Sequence, residues 1–144
     1  MKRALILLIA ILASCATTTT STDTPRAAMS GFMDALNTLD TDRMATYFAD
    51  DITAFVPVAQ GERADGKAAV VEIFRKYVEA TKKTISRTNI VPEDLRVDQY
   101  GDVAIVTFNV RNPAAISRRT FVFHRERGKW LITHFHASNF MTKQ

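Results

Sequence analysis

Cysteine, net charge and long apolar runs are all scarce in this sequence, and each shortage excludes a class of protein. The only cysteine is Cys15, so the chain has no framework of internal disulfides and its stability must come from packing. The formal net charge is only +4, too small to indicate a surface that tracks nucleic-acid phosphates. The apolar run at 4–13 has ten residues, about half of the ~20 that a transmembrane helix needs.

The remaining composition is that of one soluble globular domain. Apolar residues make up 47% of the 144 residues and charged residues make up 24%, a balance that excludes a disordered chain. The length suffices for one domain and is too short for two ordinary ones. We therefore expect a single core and no nucleic-acid partner.

The N-terminus has the pattern of a bacterial export signal. A positively charged start at 1–3 precedes the apolar run at 4–13, and the stretch Leu-Ala-Ser-Cys at 12–15 resembles the lipobox of bacterial lipoproteins. The resemblance implies that Cys15 is lipidated, becomes the mature N-terminus and holds the protein in a bilayer through more than one acyl chain. An ordinary secretory signal with a chance cysteine is the alternative.

These features divide the chain into a signal peptide at 1–14, a Thr-rich tether at 15–24 and a domain at 25–144. Ala16 stands where an aspartate is associated with retention at the inner membrane. We therefore expect a lipid-anchored protein of the bacterial cell envelope, in the outer membrane and facing the periplasm. The lipid bilayer is then one of its partners.

Hydrophobic periodicity predicts three helices in the first half of the domain. The Thr-Pro pair at 24–25 is typical of a helix start, and apolar residues follow at helical spacing. A shorter helix is predicted at 41–48 and is ended by the acidic pair at 50–51. The apolar stripe at 70–78 predicts the third helix.

Strands are predicted from β-branched and aromatic residues between turn signals. One strand lies between the second and third helices, at 52–58. The others follow the third helix, at 85–91, 95–99, 103–111, 117–125 and 130–140. Helices first and an antiparallel meander last indicate an α+β fold.

This order of elements resembles the cone of the nuclear transport factor 2-like (NTF2-like), or SnoaL-like, fold, in which three N-terminal helices pack on a curved, mainly antiparallel sheet. The stretches 52–61, 101–111 and 128–138 are more specific. They resemble the calcium/calmodulin-dependent kinase II association domain and its DUF4440-type bacterial relatives. The resemblance implies a pocket on the concave face of the sheet and a second subunit on the convex face.

Strand parity assigns side chains to this pocket. With a three-residue hairpin loop at 127–129, Phe121 faces Phe135, Arg119 faces Ala137 and Phe123 faces Thr133. The alternating residues of the strand at 103–111 that share this face are Ala104, Val106, Phe108 and Val110. The expected pocket residues are Tyr47, Phe55, Phe108, Val110, Arg119, Phe121 and Phe135.

The association domain recognises small carboxylates with polar pocket residues, and the resemblance places Val70, Val110, Phe121 and Ala137 at those positions here. A small apolar molecule is therefore the expected ligand. No cofactor is expected.

The opposite parity predicts a dimer face. It pairs His124 with Ile132, Val122 with His134 and Thr120 with His136. The expected dimer residues are Val122, Ile132, His134 and His136, and a homodimer is the expected assembly. The two histidines at i and i+2 suggest a metal site, but no acidic or cysteine ligand accompanies them, so we expect no metal and a structural role.

Two functions remain open. The first is a non-catalytic, lipid-anchored module for small-molecule binding or dimeric assembly. The alternative is a small enzyme of the isomerase, cyclase or dehydratase type, which acts on an apolar substrate with Tyr47 and a histidine as acid or base. The concave positions include no carboxylate, which favours the first.

Overall fold

A computed structural model describes residues 24–57 and 62–141, which form three helices and six strands. The helices are α1 (Pro25–Asn37), α2 (Thr41–Ala45) and α3 (Lys67–Lys82). The strands are β1 (Phe48–Phe55), β2 (Arg63–Asp65), β3 (Glu93–Tyr100), β4 (Val103–Asn112), β5 (Ala115–Glu126) and β6 (Lys129–Met141). No described helix is long and apolar enough to cross a bilayer. The export signal, Cys15 and the tether up to residue 23 lie outside the described residues.

The six strands form one sheet in the order β2-β1-β6-β5-β4-β3. Neighbouring strands are antiparallel, except that β1 runs parallel to β6. The helices pack on one side of the sheet, which we call the inner face, and the core lies between them. Side chains of the outer face point away from the helices. The predicted α+β fold, with helices packed on a mainly antiparallel sheet, is confirmed.

The local sequence explains where α1 begins and which side it buries. The side chain of Thr24 accepts a hydrogen bond from the backbone N–H of Ala27 at 3.1 Å, and Pro25 occupies the first turn. The apolar stripe of α1, Phe32 among it, is buried as predicted. The Phe32 ring lies 5.6 Å from that of Phe121, centroid to centroid, and so joins α1 to β5.

The second helix is shorter than predicted, and the strand after it starts earlier. α2 ends at Ala45, and β1 begins at Phe48, where a helix was predicted. The Tyr47 carbonyl accepts a hydrogen bond from the Ile132 N–H at 2.7 Å, so pairing with β6 replaces the helical hydrogen bonds. The acidic pair at 50–51, predicted to end the helix, is exposed within β1.

The β5–β6 hairpin has a two-residue loop rather than the predicted three-residue loop. Arg127 and Gly128 have φ angles of 49° and 82°, and Glu126 pairs with Lys129. Two consecutive residues with positive φ are typical of the tight type I′ hairpin turn. The register then shifts by one at a bulge in β6, where Thr133 is the extra residue.

The bulge decides which predicted strand pairs form. Beyond it the predicted pairs are present: Phe121 with Phe135, Arg119 with Ala137, Val122 with His134 and Thr120 with His136. Between the bulge and the turn the prediction was wrong, because Phe123 pairs with Ile132 and His124 pairs with Leu131. Ile132 therefore points into the core and is 0% exposed.

The strand predicted at 85–91 does not form, and one side chain holds part of that segment instead. Nδ2 of Asn37 donates to the Ile90 carbonyl at 3.1 Å, and Oδ1 of Asn37 accepts from the Ile90 N–H at 2.7 Å. Oδ1 also accepts from the Thr88 hydroxyl at 2.9 Å. A side-chain amide has a donor and an acceptor, as a peptide group does, so it takes the place of a neighbouring strand. We call these contacts the Asn37 clamp.

Aromatic rings contact one another across the core on the inner face. Phe121 stacks on Phe135 at 4.5 Å and on Phe108 at 5.7 Å, centroid to centroid. Phe74 of α3 stacks on Phe135 at 6.1 Å. Trp130 is 2% exposed in the same core. Such ring pairs contribute about 0.5–1.5 kcal/mol beyond their buried area, so they fix helices to sheet in one arrangement.

Candidate ligand cavity

The helices and the inner face enclose two neighbouring cavities. Their volumes are about 230 Å³ and about 70 Å³. They share five lining residues: Leu36, Phe74, Ile90, Arg119 and Phe135. We therefore treat them as one site and call it the cavity. Together the two parts only reach the lower end of the ~300–1,000 Å³ typical of drug-sized ligands, so the cavity suits a small molecule.

The larger part of the cavity lies between α3 and the ends of β1 and β6. Ile73 and Tyr77 contribute one wall, and Ala137 of β6 contributes another. Pro57 and Asn139 also line it and are exposed, so they mark the side that faces solvent.

Five of the seven predicted pocket residues do line the cavity. All five line the smaller part: Phe108, Val110, Arg119, Phe121 and Phe135. Arg119 and Phe135 line the larger part as well. They lie on three adjacent strands, β4, β5 and β6, and strand parity was enough to identify them.

Tyr47, the sixth, does not line the cavity. Its ring packs edge-on against Phe32 with centroids 6.3 Å apart. Its hydroxyl lies against α1 at Gly31, where a Cβ atom would come within 2.2 Å of it. Tyr47 therefore packs the turn between α2 and β1 against α1, away from the cavity.

Phe55, the seventh, lies on the outer face. It is 37% exposed, and its ring lies 6.2 Å from that of His134 and 6.0 Å from that of His136. Its neighbours Ala54 and Val56 are the inward residues of this chain segment, at 0% and 7% exposure. Val56 lines the cavity in place of the predicted Phe55.

Arg119 is the one charged residue in the described cavity wall. In the sheet it pairs with Phe108 on β4 and Ala137 on β6, so its neighbours on both sides are apolar. Its Nη1 atom is buried and has no hydrogen-bond partner among the described residues. Burial lowers the pKa of Arg119, and the electrostatic interaction with Tyr77 opposes this only in part. The cavity thus holds a cation without a counterion.

The sequence analysis did not predict three of the residues that line the cavity: Tyr77, Ile90 and Asn139. Tyr77 was assigned only to the apolar stripe of α3, and Ile90 to a strand that does not form. Asn139 has the inward parity of Ala137, which could have identified it. The Ser117 hydroxyl donates to Oδ1 of Asn139 at 2.6 Å and so orients this amide at the cavity's edge.

The outer face carries most of the predicted dimer residues. One row of mutually paired outward positions crosses the sheet from β3 to β1: Asp98, Ile105, Val122, His134 and Thr53. Val122, His134 and His136 lie on this face. Ile132 does not, because the bulge at Thr133 changes its parity and buries it.

His134 has a defined environment on the outer face. Its Nδ1 lies 2.8 Å from the hydroxyl oxygen of Thr53. Burial lowers the pKa of His134, and the nearby positive charges of His136 and Arg63 lower it further. Within 24–57 and 62–141, no three His, Cys, Asp or Glu side chains are grouped so that they could hold a metal ion.

Comparison with known proteins finds a family and a fold. The model of the SnoaL-like domain matches residues 26–143. No curated protein matches the chain in sequence.

Among solved structures, an NTF2-like protein of unknown function from Pseudomonas putida is 24% identical, with a TM-score of 0.67 over 78% of this chain and 82% of that one. A candidate calcium/calmodulin-dependent protein kinase type II association domain from Thiobacillus denitrificans is 24% identical, with a TM-score of 0.66 over 81% and 95%. A candidate dehydratase of the NTF2-like family from Streptomyces avermitilis is 17% identical, with a TM-score of 0.66 over 80% and 93%. These similarities establish the NTF2-like cone fold.

Proposed function

The chain belongs to the SnoaL-like family, and we propose that its cavity binds a small, mostly apolar molecule and that the protein is not an enzyme. The composition of the cavity wall carries this proposal. Of the eleven residues that line the larger part, only Tyr77, Arg119 and Asn139 have polar side chains. A carboxylate or histidine, the usual general acid or base, is absent from the described wall.

The alternative, an isomerase, cyclase or dehydratase, has less support. It relied on Tyr47 and a histidine. Tyr47 lies outside the cavity, and His136 lines a more open depression of about 310 Å³ that adjoins the cavity at Val56, Pro57 and Ala137. Similarity to a candidate dehydratase supports the fold alone. The enzyme remains the alternative that the experiment below tests.

The binding test uses the full chain in nanodiscs of zwitterionic lipid, with phenylacetate and its neutral analogue phenylacetamide as probes. Native mass spectrometry of the purified protein looks for a co-purifying small molecule, and calorimetry measures the two probes. We expect at least one probe to bind, because the ring can pack against Phe74 and Phe135. Conversion of a bound molecule into a product would support the enzyme instead.

A pair of variants locates the binding. Ala137 is 6% exposed and lines the larger part, so Ala137→Leu should fill that space and abolish binding. Ser138 is the next residue and faces outward, so Ser138→Leu is the matched control and should bind as the wild type does. Equal binding by both variants, or no binding of either probe by the wild type, would contradict the proposal.

We further propose that lipidated Cys15 holds this binding domain in the outer membrane, facing the periplasm. The lipobox-like stretch at 12–15 and the polar tether support this. Replacing Cys15 by Ser removes the acyl acceptor and should remove the processed protein from the membrane fraction. Retention of processed Cys15→Ser protein in that fraction would contradict the anchor.

A second copy of the chain is the proposed partner of the outer face. Ile105, which is 36% exposed, and Val122 form an apolar centre on that face. Asp98 lies at one end of the row, and His134 lies toward the other. A two-fold axis near Val122 would place this apolar centre of one copy against that of the other, which favours a homodimer. Similarity to an association domain is consistent with this assembly.

A further inference from the structure

The geometry points to a monocarboxylate with a small apolar body as the ligand, held through its carboxylate by Arg119. This inference rests on the proposed binding function and adds the chemical class of the ligand. It departs from the neutral ligand expected from sequence, because the sequence does not reveal how Arg119 is surrounded.

The first argument is the unpaired nitrogen of Arg119. Nη1 is the one buried side-chain nitrogen or oxygen without a hydrogen-bond partner in the part of the chain that the structure describes. A buried donor without a partner is costly, and the cost is larger for a charged group. A ligand that supplies an acceptor would remove this cost.

The second argument is that neighbouring groups do not supply the missing partner. Other arginines have carboxylate partners at the surface, such as Arg43 with Asp34 at 2.6 Å and Arg111 with Glu93 at 3.2 Å. Arg118, the neighbour of Arg119, lies over the Phe140 ring at 5.5 Å and is exposed on the outer face. Arg119 instead lines the cavity, where the described wall has no acid.

The third argument concerns which anion fits. A guanidinium binds a carboxylate through two parallel hydrogen bonds, and a single negative charge balances its single positive charge. A phosphate dianion would keep an uncompensated charge among Phe74, Phe135 and Ile73, which is unfavourable. The volume of about 230 Å³ leaves room for a small apolar body beside the carboxylate.

The test compares phenylacetate with phenylacetamide, which has nearly the same shape but no charge. Calorimetry on the full chain in zwitterionic nanodiscs should give the wild type a preference of roughly tenfold or more for phenylacetate. Arg119→Gln should lose this preference and still bind phenylacetamide. Arg119→Lys should show an intermediate preference, because it keeps the charge and loses the two-pronged geometry.

Arg118→Gln is the matched control, because it removes the same charge from the adjacent residue on the other face. It should keep the wild-type preference, which separates direct pairing from a change in overall charge. Equal binding of the two probes by wild type, or an unchanged preference in Arg119→Gln, would overturn the carboxylate inference and leave the cavity proposal standing. Binding of neither probe would overturn both. If Arg119→Gln does not fold, the binding of the two probes by the wild type decides the test alone.

Discussion

At the scale of single residues, Arg119 illustrates a site that costs stability when it is empty. Its buried Nη1 has no hydrogen-bond partner among the described residues, so Arg119→Met, which keeps an apolar stem and removes the charge, should raise the free energy of unfolding by about 1 kcal/mol. Urea denaturation of the full chain in detergent, followed by fluorescence of Trp130, the only tryptophan, measures the change. Arg118→Met should have little effect. A large loss of stability in Arg119→Met would mean that the guanidinium is already satisfied.

His134 should make the free energy of unfolding decrease as the pH falls below neutrality. Its pKa in the folded protein lies below the ordinary 6.5, because burial and the charges of His136 and Arg63 disfavour its protonation. The unfolded chain then binds more protons as the pH falls below about 6.5, so acidification weakens the folded state. Urea midpoints between neutral pH and pH ~5 should fall less steeply in His134→Asn than in the wild type. His124→Asn, on the same face, is the control, and equal slopes in all three proteins would contradict the prediction.

At the scale of elements, α1 lies so close to the turn between α2 and β1 that a normally favourable substitution should be harmful. Alanine in a helix is usually better than glycine by about 1 kcal/mol. At Gly31 its Cβ would lie 2.2 Å from the Tyr47 hydroxyl, so Gly31→Ala should instead lower stability by roughly 1–3 kcal/mol. In a Tyr47→Leu background the same substitution should be neutral or stabilising. A double-mutant cycle by urea denaturation measures this coupling, and simple additivity would refute it.

Elements whose stability comes from their own amphipathic pattern were predictable, and those set by distant partners were not. The inward set of β4, from Ala104 to Val110, and the stripe of α1 follow directly from periodicity. The bulge at Thr133 and the end of α2 depend on pairing between β1, β5 and β6, which no local pattern contains. For the same reason the site was found on β4, β5 and β6, but Phe55 was placed on the wrong face and Ile90 was missed.

At the scale of the whole molecule, the outer face makes the assembly testable. Ile105→Lys introduces a charge at the proposed apolar centre and should convert a dimer to a monomer without unfolding it, because Ile105 is already 36% exposed. Native mass spectrometry of the full chain released from detergent micelles reports the oligomer. Ala80→Lys makes the same charge change on the exposed side of α3 and should leave the dimer intact. Dimers in both variants would exclude this face.

The Asn37 clamp fixes one wall of the cavity independently of the sheet. Ile90 is part of that wall, and its segment is held to α1 by the Asn37 amide, by the hydrogen bond from the Thr88 N–H to the Asn37 carbonyl at 3.0 Å and by the Arg87–Asp34 ion pair rather than by a strand. Breaking those few hydrogen bonds costs a few kcal/mol at most, whereas opening the sheet would require unfolding the domain. A substitution at Asn37 should therefore loosen this wall of the cavity and leave the sheet intact.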